Sequence, residues 1–91
     1  MEYKVIATVK EVKGNRCNAG YKVGDTIEIE GVFVTKGRLC LAALAAIYPQ
    51  IMAMRFGSEL PWMKRLDGKT LAVCPDGENP VTFELSRQRL T

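Results

Sequence analysis

The chain contains no histidine. This absence excludes Ser-His and Cys-His nucleophile arrangements, and it excludes a metal site built on imidazole ligands from this chain. CxxC pairs are also missing, because Cys17, Cys40 and Cys74 lie 23 and 34 positions apart. The zinc-ribbon and thioredoxin signatures are therefore absent.

The chain also lacks long runs of one charge and long uncharged runs. Its 13 basic and 10 acidic residues give a net charge of +3 and are scattered, so nucleic-acid binding is not expected. The N-terminal segment has no continuous apolar core of a signal peptide, which predicts a cytoplasmic location. The uncharged stretch between Arg38 and Arg55 is shorter than the roughly 20 apolar residues needed to span a membrane, so no membrane association is expected.

The 91 residues predict one domain, residues 1–91, organised around the apolar stretch 37–57. Five side chains in it recur at spacings of four and three residues, as on one stripe of an α-helix: Cys40, Leu44, Ile47, Ile51 and Met54. Alanines occupy the other faces, which predicts that a sheet and a loop, or a second subunit, cover the helix on more than one side. Pro49 predicts a kink or break near Tyr48.

Four other segments have strand patterns: residues 3–12, 26–30, 70–74 and 81–85. The second extends weakly through residues 32–34 after a predicted bulge at Gly31. The order β-β-α-β-β, with connections of hairpin length, predicts an α+β domain. Its mainly antiparallel four-stranded sheet is expected to pack on one long, Pro-kinked apolar helix.

Each cysteine is predicted at a structural junction. Cys17 falls in a loop rich in glycine and asparagine and is expected on flexible backbone near the surface. Cys40 falls in the first turn of the helix, where backbone amides stabilise a thiolate, and Cys74 ends a strand. Possible accessory residues are Tyr21, Lys22, Asp25 and Asp76. The first two are potential donors to an anion, whereas turn chemistry already accounts for both aspartates.

Four interpretations of the thiols remain open. The three thiolates hold zinc or an iron–sulfur cluster and leave one coordination position free. Alternatively, Cys40 alone is a redox or small-molecule-binding thiol that Cys17 or Cys74 resolves. In the third interpretation the cysteines are structural and no cofactor is bound. In the fourth the domain is a non-catalytic scaffold or adaptor whose apolar helix is a partner surface.

An ordered set of motifs covers nearly the whole chain: CNAGYKVGD at residues 17–25, LCLAAL at 39–44, RFG at 55–57, and CPD, NPV and FEL between 74 and 85. In this it resembles a family of short uncharacterised prokaryotic proteins, many from anaerobes, with no assigned activity. All three cysteines fall inside motif blocks, so the resemblance implies a shared thiolate site. Many members have histidine where Tyr21 stands and proline where Leu41 stands, and an obligatory histidine ligand would be missing here.

Together these patterns predict a small cytoplasmic protein that forms a homo-oligomer through its apolar helix. Cys17, Cys40 and Cys74 are expected to meet near the helix N-terminus and to hold a metal ion or an iron–sulfur centre.

Overall fold

The computed structural model describes residues 3–14, 17, 19–75 and 77–90. Its elements are, in chain order, β1 (Tyr3–Val12), β2 (Thr26–Glu30), β3 (Phe33–Lys36), α1 (Leu41–Arg55), a short 3₁₀ helix (Pro61–Lys64), β4 (Thr70–Val73) and β5 (Val81–Arg89). The strands form one antiparallel sheet in the order β3-β2-β1-β5-β4. The predicted α+β class and the single helix are confirmed.

The predicted four-stranded sheet is wrong, because the sheet has five strands. The expected continuation of the second strand past a bulge is instead a hairpin, in which Glu30 pairs with Phe33 across a two-residue loop. Gly31 opens that loop with φ of 60°, and a glycine at this position suits the type II′ turn that joins twisted antiparallel strands. A glycine between two strand-like segments is compatible with a bulge and with a turn. The residue pattern alone therefore does not distinguish one bulged strand from two strands joined by a turn.

The core lies between one face of the sheet and the helix. Val5, Ala7 and Val9 of the central strand β1 are fully buried, as are Phe83 and Leu85 of its neighbour β5. Four helical side chains cover this face: Ala43, Ile47, Ile51 and Met54. The predicted stripe is confirmed at Ile47, Ile51 and Met54. It is wrong at Leu44, which is only partly buried while Ala43 is buried in its place, and at Cys40, which precedes the helix. The helix lies across β1, β4 and β5.

The opposite face of the sheet carries charged side chains. Lys4 and Glu28 form an ion pair across β1 and β2 at 3.0 Å, and Lys69 lies 3.5 Å from Glu84. This face is therefore polar. Within the described part of the chain, helices pack on the apolar face of the sheet and not on this one.

Helix α1 runs without interruption through Pro49, so the predicted break near Tyr48 is wrong, while a kink stays a prediction. Tyr48, Pro49 and Ala45 all lie on the exposed side of the helix. The carbonyl of Ala45, which the missing proline N–H would otherwise have bonded, is on the side that faces water. Solvent offsets the lost bond, and the helix can continue.

The expected cover on a second side of the helix is not provided by the described part of this chain. Leu41 is 83% exposed and Tyr48 is 53% exposed.

No helix among the described residues is long and apolar enough to cross a membrane.

Arg87 joins the end of the helix to the sheet. One guanidinium nitrogen donates to the carbonyls of Met54 at 3.1 Å and Ser58 at 2.8 Å, and the other donates to Glu59 at 3.0 Å. The guanidinium also stacks on the ring of Tyr3, 4.7 Å from its centre. The Arg87 side chain is only 11% exposed, whereas that of Glu59 is 77% exposed. The Met54 carbonyl also accepts from the amides of Phe56 and Gly57. Arg87 therefore adds a charged donor that ties this helix end to β5, whereas its ion pair with Glu59 lies in solvent.

We expect Arg87→Met to lower the free energy of unfolding by about 2 kcal/mol, because the substitution leaves helix-end carbonyls without their charged donor. Glu59→Gln is the matched control and should cost less than about 1 kcal/mol, since the ion pair lies in solvent. Denaturant unfolding measures both values. Equal losses in the two variants would contradict the role assigned to the carbonyl contacts.

Candidate functional site

The structure brings the three cysteines to one cavity. Cys17 comes from the loop between β1 and β2, Cys40 directly precedes α1, and Cys74 directly follows β4. Together they line a cavity of about 70 Å³, whose remaining wall is aliphatic and aromatic: Ala19, Tyr21, Ala42, Ala43, Val81 and Phe83. The cavity lies at the N-terminal end of the helix, where the sequence analysis expects the thiols to meet.

Cys40 is the N-cap residue of α1 rather than a member of its first turn. Its backbone is extended, with φ of −80° and ψ of 161°. Its sulfur accepts a hydrogen bond from the amide of Ala43 at 3.4 Å, and its carbonyl accepts one from Leu44. A thiol thus occupies the position at which serine or aspartate usually satisfies a free helix amide. The sulfur is held against the positive end of the helix dipole.

Cys74 is held by the strand that follows it. Its amide donates to the carbonyl of Val81 at 2.9 Å, and its sulfur accepts from the amide of Val81 at 3.2 Å. Two bonds between the same pair of residues close the β4–β5 connection directly beside the cavity. The predicted strand-end position is confirmed, and the side chain is buried.

Cys17 lies deeper than the sequence analysis expects. The prediction that it lies near the surface is wrong, because its side chain is only 9% exposed. The Cys17 carbonyl accepts from the amide of Gly20, which has φ of 83°. This tight turn folds the loop over the start of the helix and turns the thiol inward. Composition identified a loop, but packing decided its burial.

Tyr21 joins the loop to the helix start. Its hydroxyl donates to the carbonyl of Arg38 at 2.7 Å and accepts from the amide of Cys40 at 2.9 Å. Its ring packs edge-on against Phe83 with the ring centres 5.5 Å apart. The sequence analysis names Tyr21 only as an accessory residue, whereas the structure makes it the support of the Cys40 backbone.

The protonation state of Tyr21 is also defined by this position. Burial raises the pKa of Tyr21 above its usual value of 10.0; the hydrogen bond from the Cys40 amide opposes the shift, while the charge of an ionised Cys40 or Cys17 adds to it. The hydroxyl therefore remains protonated and neutral at physiological pH. It acts as a hydrogen-bonding support beside the thiols and not as a base.

Two other accessory candidates, Lys22 and Asp25, do not line the thiol cavity. The carboxylate of Asp25 accepts from the amide of Lys22 at 2.9 Å, and the Asp25 amide donates back to the carbonyl of Lys22 at 3.0 Å. These bonds form the turn that leads into β2, as turn chemistry predicts. The Lys22 side chain is exposed. Asp76 lies outside the described residues.

A cleft open to solvent borders the cavity and shares Ala19, Tyr21 and Cys40 with it. It has a volume of about 290 Å³ and is lined by Ala19, Tyr21, Arg38, Leu39 and Cys40. Cys40 is half-buried and borders both the cleft and the cavity, whereas Cys17 and Cys74 are buried. Cys40 is therefore the thiol that a molecule in the cleft meets first.

Among the described residues, Arg38 is the only charged one in the wall of this cleft. One of its guanidinium nitrogens donates to the carbonyl of Ala19 at 3.3 Å. Arg38 is not among the site residues predicted from the sequence, although it lies two positions before Cys40. The missed signal was a cation that immediately precedes a thiol at a predicted helix start.

The described residues hold no ready-made metal ligand set. Among residues 3–14, 17, 19–75 and 77–90, no three His, Cys, Asp or Glu side chains are already arranged to hold an ion. The three thiols share a cavity, and rotation of their side chains would have to bring the sulfurs onto a common centre. The predicted metal role of Cys17, Cys40 and Cys74 stays a prediction.

No family model, curated protein or solved structure matched this chain. The resemblance to a prokaryotic family stays a prediction, and the geometry of the cavity is the main guide to function.

We expect Tyr21→Phe to lower the free energy of unfolding by about 1–3 kcal/mol, because it deletes one hydroxyl that makes two backbone hydrogen bonds and keeps the ring. Native Cys40 should also react faster with iodoacetamide, since its backbone loses its anchor. Tyr48→Phe removes a hydroxyl from the exposed side of the helix and should change stability by less than about 0.5 kcal/mol. Indistinguishable behaviour of the two variants would refute the supporting role of Tyr21.

Proposed function

We propose that this protein binds a thiophilic metal centre through Cys17, Cys40 and Cys74. The observation that carries the proposal is that all three cysteines of the chain, from three distant segments, line the same small cavity. Thiolate ligands select zinc, copper(I) and iron–sulfur centres over harder cations. Three protein ligands with a fourth position open are typical of reactive metal sites.

The small size of the cavity favours a single ion over a cluster. Its volume is about 70 Å³. An iron–sulfur cluster places several iron and sulfur atoms between its cysteine ligands, whereas a single ion with one additional small ligand needs less space. We therefore expect one ion per chain.

The surroundings of the thiols suit negative charge on sulfur. The amides of Ala43 and Val81 donate to the sulfurs of Cys40 and Cys74, and hydrogen bonds to coordinating thiolates stabilise their charge. Three thiolates and a divalent cation carry a net charge of −1. The positive end of helix α1 offsets part of that charge, because Cys40 lies at its first free amides.

A second candidate is a thiol-redox or small-molecule-binding function of Cys40 alone. It is supported by the partial exposure of Cys40 and by the cleft that reaches it. Cys17 and Cys74 line the same cavity and would serve as resolving thiols. In this alternative the protein binds no metal, and Cys40 reacts well before the two buried thiols.

The test is the metal and acid-labile sulfide content of protein purified without oxygen. We expect one zinc or comparable ion per chain, lost in each of Cys17→Ser, Cys40→Ser and Cys74→Ser. Thr35→Ser, on the exposed strand β3, is the control and should keep the metal. Sulfide in proportion to iron would favour the cluster.

The reactivity of the thiols separates the alternatives. In the metal-bound protein, all three thiols should resist alkylation until a chelator is added, because coordination draws electron density from the sulfurs and lowers their nucleophilicity. A metal-free protein in which only Cys40 reacts quickly would reject the metal centre and favour the redox thiol. A metal-free protein that remains folded in all three serine variants would favour structural cysteines.

We further infer that the exposed apolar side chains join copies of this chain. Leu41 and Tyr48 of the helix are exposed, as are Val32 and Phe33 at the tip of the β2–β3 hairpin. An apolar groove of about 310 Å³ lies between the hairpin and the helix, with Leu44 and Ile51 among its lining residues. Clustered exposed apolar surface of this kind marks contact sites more often than free surface. In a homo-oligomer formed through the helix, a second copy would cover the apolar side chains that the described part of one chain leaves exposed.

We expect Leu41→Glu to reduce the oligomer to a monomer, because the substitution places a charge in the proposed contact. Light scattering coupled to size-exclusion chromatography measures the mass. Val73→Glu, at an exposed apolar position on the opposite edge strand β4, should leave the mass unchanged. A monomeric unaltered protein would refute the inference, and dissociation by both variants would place the contact elsewhere.

A further inference from the structure

The cleft that leads to Cys40 has a chemical character different from that of the thiol cavity. The cavity wall is apolar apart from the thiols and the Tyr21 hydroxyl, whereas the cleft is bordered by the guanidinium-bearing side chain of Arg38. The two spaces share Ala19, Tyr21 and Cys40. A ligand in the cleft would therefore touch a thiol at one end and a cation at the other.

Arg38 has unused capacity to bind an anion. Its guanidinium carries five N–H donors, and one nitrogen donates to Ala19. No carboxylate within the described ranges forms an ion pair with it. An arginine fork with free donors at the rim of a cleft suits bidentate recognition of a carboxylate.

Other charges near the entrance are already engaged. A second, more polar groove beside the cleft includes Lys36 and Asp25 as well as Arg38. Lys36 lies 3.8 Å from Glu28, and the Asp25 carboxylate accepts from the Lys22 amide. Arg38 is thus the cation at this entrance without a described anionic partner.

We propose that the open position of the thiolate-bound ion takes a small thiol that also carries a carboxylate, with Arg38 holding the carboxylate. This inference rests on the proposed metal centre. The soft ion prefers a sulfur donor as its fourth ligand. On binding, a water leaves the ion, the thiol proton passes to solvent, and the sulfur coordinates as a thiolate.

The charge of the centre gives Arg38 a role in binding such a ligand. A divalent ion held by three thiolates has a net charge of −1 and repels an incoming anion. The Arg38 guanidinium at the cleft offsets this repulsion most for a ligand whose carboxylate reaches it. A thiol without a carboxylate lacks that direct contact, so the change in the ratio of the two affinities on substitution of Arg38 reports on the contact.

The test uses protein loaded with Co²⁺, whose visible absorption bands report on its ligands, titrated with mercaptoacetate and with 2-mercaptoethanol. We expect mercaptoacetate to bind the unaltered protein more tightly. Arg38→Gln should weaken mercaptoacetate binding roughly tenfold, as expected for the loss of one charge-assisted contact, and should change 2-mercaptoethanol binding less than about twofold. Arg38→Lys should have an intermediate affinity, because it keeps the charge and loses the fork.

Arg65→Gln is the matched control. Arg65 is exposed in the segment before β4 and is not part of the cleft wall, and its loss changes the net charge by the same amount. Equal effects of the Arg38 and Arg65 substitutions, with normal cobalt loading, would overturn the role of Arg38 and leave the metal centre standing. A protein that binds no cobalt at the three thiols would overturn both.

Discussion

The bridging hydroxyl of Tyr21 is the contact on which the arrangement of the site depends. It connects the carbonyl of Arg38 to the amide of Cys40, with distances of 2.7 and 2.9 Å. These two backbone groups belong to the segment that enters helix α1, so the loop after β1 and the start of the helix are held together at one point. The edge-on packing of the ring against Phe83 anchors that point to the core.

Two consequences follow from this contact for the chemistry of the site. The loop folds inward, which buries Cys17 and places it on the cavity that Cys40 and Cys74 also line. Tyr21 itself remains neutral, because burial and any charge on nearby thiols raise its pKa. In the proposed metal centre the negative charge would lie on the sulfurs, near the Ala43 amide at the helix start and the Arg38 side chain.

The rest of the architecture follows from the burial of one apolar face of the sheet beneath the helix. Strand β1 is central and contributes Val5, Ala7 and Val9, and the helix covers this face at four positions. Helix α1 covers this core together with Met63 of the 3₁₀ helix and with Cys17 and Tyr21 of the loop before β2, whereas the other face of the sheet carries ion pairs. The outward side of the helix and the tip of the β2–β3 hairpin consequently keep apolar side chains in contact with solvent.

Local pattern was sufficient for the elements whose signals are periodic or positional. The spacing of Ile47, Ile51 and Met54 determined the buried stripe of the helix, and alternation determined β1. The absence of histidine and of CxxC pairs limited the candidate ligands to the three isolated thiols. These features depend on the residue and its near neighbours, which is why sequence reasoning reached them.

Contacts between distant segments decided the rest. Whether Gly31 made a bulge or a turn depended on which strand β3 could pair with, and whether Pro49 broke the helix depended on which side of the helix it occupied. The inward position of Cys17, the bridging role of Tyr21 and the position of Arg38 beside Cys40 depend on contacts between segments that are 17 to 19 residues apart in the chain. No local periodicity encodes such contacts, because their free energy comes from burial and hydrogen bonds that exist only once the sheet, the loop and the helix have come together.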